Sequence, residues 1–235
     1  MDESELRKLC AEEAMKYINN NFVIGLGAGR NIACLIEYLG EAVKNGLKIK
    51  IVTPSYSTQK LCLEYGFEVL PLCFTDNVDV AFDGCGEIDK NFYASKGGGG
   101  VHTQEKLVAV MSKEYIILAD EKKLTEHFNS KYPISLEVIK DSLSYVKKIT
   151  TKLGGMPVVR TSINKEGYTV TDDGNFLLDI EFKNIEDYKK LNEDLNKIQG
   201  VVGTSLFTEE VTRIIIAREN GVEVISRVKG YEENI

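Results

Sequence analysis

The sequence predicts an α/β fold: a doubly wound, mostly parallel sheet with a smaller α+β domain inserted into it. Three observations predict it. Apolar runs of strand length alternate with helix-length amphipathic segments through about residue 130, the pattern of right-handed crossovers between parallel strands. After about Pro133 the texture changes to a meander with turn signals and one amphipathic helix. A last hairpin, RIIIARENGVEVISRV, is apolar enough to return to the first sheet. With 235 residues the chain is one large domain or two small ones. We read residues 1–130 with 206–235 as the larger unit and 131–205 as the smaller.

In chain order, residues 3–19 form an amphipathic helix with Leu6, Leu9, Cys10, Ala14 and Tyr17 on one face. FVIGL is a strand, GAGRN a glycine turn, and IACLIEYLGEAVKNG a helix. The turn lacks the G-K-[ST] ending of a nucleotide-binding loop, and Arg30 stands where a dinucleotide fingerprint needs its third glycine. A dinucleotide is therefore disfavoured, while a phosphate at the helix start stays reasonable. KIKIV is a strand, and the hydroxyls of Ser55, Ser57 and Thr58 cap the next helix. NVDVAFDG is a strand that ends in Asp83, and YIILAD one that ends in Asp120, with Lys122 and Lys123 beyond. PISLEVI and SYVKKITTKLGG read as strand and helix. PVVRTS and YTVTDDGNFLLDIEF form a meander turned at Asp173-Gly174, IEDYKKLNEDLNKI is a helix, and GVVGTSLF is a strand. The final hairpin turns at Asn220-Gly221.

Composition is ordinary for a globular protein, with 43% hydrophobic and 28% charged residues, enough for a real core. A net charge of −7 with no basic cluster argues against nucleic acid as a partner. Any attraction for an anion must come locally, from lysine, arginine and backbone dipoles. The five cysteines, Cys10, Cys34, Cys62, Cys73 and Cys85, show no C-x-x-C pair; most sit in apolar contexts and read as small core residues of a reducing cytoplasm, while Cys85 is either a reactive thiol or, the favoured reading, a packing residue. No targeting segment or membrane-spanning run stands out.

The chemistry concentrates between Asp83 and Glu105, DGCGEIDKNFYASKGGGGVHTQE, a loop between a buried strand and a helix. Loops at the carboxyl ends of parallel strands are where such sheets bind ligands. Four consecutive glycines, Gly97 to Gly100, cost backbone entropy. In return they give access to φ > 0 and amides with no Cβ to keep a ligand away, which together make an anion-binding concavity. Lys96 adds a full positive charge. Glu105, in or near the first turn of the helix, is either a favourable acid at a helix N-terminus or a general base.

The motifs DG-x-x-E-I-D, K-G-G-G-G and E-K-L-V-A at this spacing resemble ribose-5-phosphate isomerase of the A type. GLGAG, ADEKKL, PISLEVI, TDDGNFLLD and IQGVVGTSLF look like further segments of that family in the family's order, so the resemblance runs along nearly the whole chain. It implies an aldose–ketose isomerase that moves a proton between C1 and C2 of ribose 5-phosphate through an enediolate, without metal or redox cofactor, in a cytoplasmic homodimer or homotetramer. Glu105 would be the base. Lys96 and the amides of Gly97, Gly98, Gly99 and Gly100 would steady the oxyanion, and Asp83 would assist ring opening. Gly84, Cys85 and Gly86 share the substrate loop with Asp83. Arg7 and Lys123 would contact the substrate; a solvated surface position is the alternative for each.

Two departures from the family pattern stand out. The turn that carries hydroxyl side chains in the family has Ala28, Gly29, Arg30 and Asn31 here, and a guanidinium can grip phosphate bidentately in their place. Gly86 stands where the family has a second aspartate. Losing a charged hydrogen bond costs roughly 1.5–3 kcal/mol, or about one to two decades in affinity or rate. Glu87 or Asp89 could replace that carboxylate in part, although the turn is expected to point them elsewhere. These departures also keep open an isomerase for another phosphosugar, or a non-catalytic phosphosugar-binding protein.

Overall fold

The computed structural model describes residues 1–163 and 165–227. Helix α1 (Glu3–Met15) starts at Asp2, whose carboxylate accepts the amides of Ser4 and Glu5 while Glu5 reaches back to the Asp2 amide. It stops short of the expected residue 19, although Tyr17 and Ile18 still pack on the core. Strand β1 (Val23–Leu26) leads into α2 (Arg30–Lys44), which begins two residues earlier than expected, so Arg30 and Asn31 lie in its first turn. Then come β2 (Lys50–Val52), α3 (Tyr56–Glu64) and β3 (Glu68–Val69). Ser55 caps α3 by accepting the Thr58 amide, as its hydroxyl cluster predicts.

The middle of the chain carries β4 (Val80–Asp83), β5 (Glu87–Asp89), β6 (Ala94–Ser95), α4 (His102–Met111), β7 (Tyr115–Asp120) and β8 (Leu124–Thr125). It continues through β9 (Ile134–Val138), α5 (Leu143–Lys152), β10 (Gly155–Val159), β11 (Thr161–Ser162), β12 (Lys165–Tyr168) and β13 (Phe176–Phe182). The last elements are α6 (Tyr188–Asn196), β14 (Val201–Thr204), β15 (Leu206–Phe207), β16 (Arg213–Arg218) and β17 (Gly221–Ser226).

The central sheet has seven strands in the order β17-β16-β7-β4-β1-β2-β3. Every neighbouring pair is parallel except β16 with β17. Strand order reverses at β1: β2 and β3 follow to one side, β4, β7 and β16 to the other. The carboxyl ends of β1 and β4 therefore flank the switch point where such sheets open a crevice. Alternation along the strands builds two cores. Ile24, Leu26, Phe82, Leu118 and Ile215 pack with Cys10, Leu35, Leu39 and Cys62 of the helices on one face. Ala81, Ile117, Ile214 and Ile216 pack with Val108 and Ala109 of α4 on the other.

A second sheet, antiparallel in the order β10-β13-β9-β14, has its own core of Leu136, Val138, Leu178 and Ile180 closed by Val146 of α5 and Leu195 of α6. Two expectations are corrected. GVVGTSLF is not one strand: β14 ends on β9 of the second sheet, and β15 pairs with β6 in a third, small sheet. Ser205 sits at the change of sheet, donating its amide to the Ser135 carbonyl and accepting the Lys96 amide on its own carbonyl. The last hairpin turns at Glu219-Asn220, because Gly221 already pairs with Arg218. Residues 228–235, part of the range expected to rejoin the larger unit, lie outside the described residues.

Leu118 is fully buried on a central strand. Leu118→Ala is expected to cost about 2–5 kcal/mol, read as a lower denaturant midpoint with an unchanged slope.

Candidate active site

A cavity of about 900 Å³ opens at the carboxyl edge of the parallel sheet. Its floor is built around Asp83, the last residue of β4. One carboxylate oxygen of Asp83 accepts the Gly84 amide at 2.7 Å and the Ala28 amide at 3.4 Å; the other accepts the Tyr115 hydroxyl at 2.9 Å. The backbone after β1 can come this close only because residue 27 is glycine. A Cβ there would fall 2.0 Å from the Asp83 carboxyl carbon.

Lys96 follows β6 and enters the same floor. Its Nζ lies 2.8 Å from Asp83, 3.4 Å from Glu105 and 2.6 Å from the Gly84 carbonyl. The side chains of Lys96, Asp83 and Glu105 are 4%, 2% and 8% exposed, so bulk water screens none of these charges well. Phe207 of β15 lies under the ammonium, with its ring centroid 5.7 Å away, and stacks on Tyr115. Burial alone would drive the Lys96 proton off, but the charges of Asp83 and Glu105 outweigh it and hold the group above its ordinary value. Glu105, in the first turn of α4, is pushed up to about 7 by burial and then by the Asp83 charge, with Lys96 pulling the other way. A carboxyl that titrates near neutrality, beside a fixed cation, is suited to take and return a proton.

The glycine run supplies the other half. Gly97 and Gly100 sit at φ +93° and +73°, the left-handed region that glycine tolerates. The Gly100 amide closes a turn onto the Gly97 carbonyl at 3.1 Å. Gly98 and Gly99 form its tip, line the cavity, and among the described residues have no protein acceptor for their amides. The run is thus an anion nest beside Lys96.

Arg7, Ala28, Gly29, Arg30, Asn31, Gly84, Cys85, Gly86 and Lys123 all line the same cavity. At one end, Arg7 and Arg30 converge on Glu3, at 2.7 and 3.2 Å, beside the N-terminus of α2. Glu3 is one of two acids in the first turn of α1, and nothing in its local sequence marks it for this place. Asn31 donates its amide to the Leu118 carbonyl at 2.8 Å, which ties α2 to β7. Cys85 packs in the core, and burial pushes its thiol up to about 12, which fits the packing role and not a reactive thiol.

The departure at Gly86 acquires a physical context. A Cβ there would come within 3.0 Å of the Tyr132 ring and 3.3 Å of the Ser95 hydroxyl. Glu87 and Asp89 do not replace the missing carboxylate. Both are buried and consumed by the backbone: Glu87 accepts the amides of Asn129 and Lys131, and Asp89 those of Asn91, Tyr93 and Phe128. They fix the loop that brings Lys131 and Tyr132 to the cavity. Ser135 and Asp179 of the antiparallel sheet, and Arg160 just after β10, reach it too. Local sequence carries no signal for these, since the antiparallel sheet brings them in from distant segments.

The family model for ribose 5-phosphate isomerase A (phosphoriboisomerase A) matches residues 50–221. Ribose-5-phosphate isomerase A of Pyrococcus abyssi is 34% identical over 97% of this chain and 100% of its own length. That of Levilactobacillus brevis is 36% identical over 96% and 99%. The chain belongs to the ribose-5-phosphate isomerase A family. The solved family structure from Methanocaldococcus jannaschii superposes with a TM-score of 0.90 at 34% identity, covering 96% of this chain and all of that one. A solved D-ribose-5-phosphate isomerase in complex with phospho-erythronic acid superposes at 0.91, again at 34% identity, over 97% and 100%.

The approach at Gly27 gives a direct check. Gly27→Ala must push the Asp83 carboxylate aside, and a misplacement of about 1 Å is expected to lower isomerase turnover about a hundredfold. A stopped assay on the purified variant, alongside its melting curve, measures this.

Proposed function

We propose that this chain interconverts ribose 5-phosphate and ribulose 5-phosphate by moving a proton between C2 and C1 through an enediolate, with Glu105 as the base. The observation that carries the reading is the Glu105 carboxyl, raised to about 7 and set 3.4 Å from the buried Lys96 ammonium. Family membership supports it, as does the relative held in complex with phospho-erythronic acid.

The steps follow from the groups present. Asp83 accepts a hydroxyl proton as the sugar ring opens and returns it afterwards. Glu105 removes the C2 proton of the open-chain aldose. The C–H electrons form the C1–C2 double bond, and the C1 carbonyl oxygen becomes negative. Lys96 and the amides of Gly98 and Gly99 stabilise that oxygen. Glu105 then delivers its proton to C1, the C2 oxygen becomes the ketone, and its proton passes to the C1 oxygen. At the far end Arg7, Arg30, Lys123 and the amides that open α2 hold the phosphate. Arg30 supplies there what the missing hydroxyls would.

One observation favours a second reading, an isomerase for a related phosphosugar. The space of a side chain at Gly86 lies against the Tyr132 ring instead of offering a carboxylate to sugar hydroxyls. Comparing kcat/KM over a panel of pentose and hexose phosphates separates the two.

We place the smaller unit at residues 131–205, supported by the separate core of the antiparallel sheet. We read the enzyme as a cytoplasmic homodimer or homotetramer. Five unpaired cysteines support the compartment, and exposed Met156 and Val158 on the outer strand β10 support association. Sedimentation equilibrium tests the latter.

Glu105→Gln is expected to lose about 10²–10⁴-fold in kcat, with ribose 5-phosphate still bound. The base must be unprotonated. Since its carboxyl is raised to about 7, wild-type kcat/KM should be level above neutrality and fall as pH drops through that value. A limb at the ordinary glutamate position would refute the assignment.

A further inference from the structure

The glycine run is held by more than its own Gly97–Gly100 turn. Arg160, which follows β10, donates NH1 to the Gly97 carbonyl at 2.7 Å. Its Nε and NH2 donors form a brace. Nε meets one Asp179 oxygen at 2.8 Å, and NH2 meets the other, and the Ser135 hydroxyl, at 2.6 Å each. Ser135 in turn donates to Asp179 at 2.6 Å. Ser135 and Asp179 are cross-strand partners in β9 and β13, so the sheet register itself sets the brace. Although burial opposes it, the Arg160 fork and the Ser135 hydroxyl hold the Asp179 carboxyl below its usual range. The loop rests on the same floor: a Cβ on Gly97 would come within 2.8 Å of Ser205 and 3.0 Å of the Ser135 hydroxyl.

The consequence lies in the peptide plane. The carbonyl of Gly97 and the amide of Gly98 belong to one planar trans unit and point in opposite directions. Fixing the carbonyl on Arg160 turns the Gly98 N–H to the other edge, where among the described residues it has no protein acceptor. The Gly100 amide also bonds the Gly97 carbonyl, at 3.1 Å, but it belongs to the same glycine run and can move with it; Arg160 ties this flexible peptide to the rest of the protein.

We propose that Arg160, braced by Asp179 and Ser135, is a positioning residue: it fixes the Gly97–Gly98 peptide so that the Gly98 amide donates to the oxygen that becomes negative during isomerisation. This rests on the isomerase reading above. Arg160 acts through the loop and not on the sugar.

The test compares wild type with Arg160→Ala, Arg160→Lys and Ser135→Ala. It reads kcat and KM for ribose 5-phosphate, and the Kd for two probes: phospho-erythronic acid, whose carboxylate mimics the charged intermediate, and inorganic phosphate, which reports only the phosphate end. Arg160→Ala should lose about 10–100-fold in kcat, somewhat less than deleting an oxyanion donor outright. It should lose affinity for phospho-erythronic acid in parallel, while KM and inorganic phosphate binding stay within about twofold. Arg160→Lys should not rescue it, because an ammonium cannot make the planar fork. Ser135→Ala, which removes a hydroxyl and no charge, should give a smaller loss of the same kind and remains readable if Arg160→Ala does not fold. Wild-type kcat and wild-type phospho-erythronic acid affinity in folded variants would overturn the proposal. So would a raised KM at unchanged kcat, which would make Arg160 a substrate contact. A wild type that binds phospho-erythronic acid without turning over ribose 5-phosphate would sink the isomerase reading alone, and the Kd comparison would still decide this one.

Discussion

One buried ammonium shared by two buried carboxylates organises this protein. Removing Lys96, Asp83 and Glu105 from water costs several kcal/mol per ion, which is recovered only if each charge is met in full. The surrounding residues answer that demand. Tyr115 and the Gly84 amide complete Asp83, the Gly84 carbonyl completes Lys96, and the Phe207 ring lies under the ammonium. Glu105 is the one member left undersatisfied, 3.4 Å from the lysine with a second carboxylate nearby. That deficit holds its carboxyl at about 7, the range the proposed base needs: the same burial that threatens the fold tunes this group.

The fold delivers these groups from separate layers. The parallel sheet brings Asp83 and Tyr115 through neighbouring strands, and the gap at its switch point leaves room for a ligand. The third sheet carries Lys96 in from β6 and Phe207 from β15, whose pairing fixes both. The antiparallel sheet presents Arg160 and Ser135 beneath the glycine run. Ser205 joins the sheets, since its amide and carbonyl bond Ser135 and Lys96 on either side. A cavity assembled this way depends on register in three sheets at once.

Much of this was legible in the sequence because the groups that carry charge and the groups that bend the chain are adjacent there. Asp83, Lys96, the glycines and Glu105 lie in one stretch, and the topology of alternating strands and helices already gathers their loops at one edge. What stayed hidden depends on distant pairing. Nothing local marks Arg160 or Asp179, because their role arises from a cross-strand register and a carbonyl far away in the chain. The split of GVVGTSLF was invisible because its apolar run is continuous, and only the pairing partners change at Ser205. The small strands β5 and β6 are too short to show a period. Glu87 and Asp89 could in part have replaced the second aspartate, yet both turn toward backbone amides: Glu87 toward Asn129 and Lys131, and Asp89 toward its own neighbours Asn91 and Tyr93 and toward Phe128.

The interaction that organises the site is electrostatic, and the titration of Glu105 itself reports on it. Carbon-detected NMR of protein labelled at the glutamate carboxyl carbon, with Glu105→Gln to assign the resonance, follows one group through pH. The account predicts a midpoint at about 7. A midpoint at the ordinary glutamate value of about 4.3 would contradict it, because the burial and the Asp83 charge that define the site would then not be acting on the base.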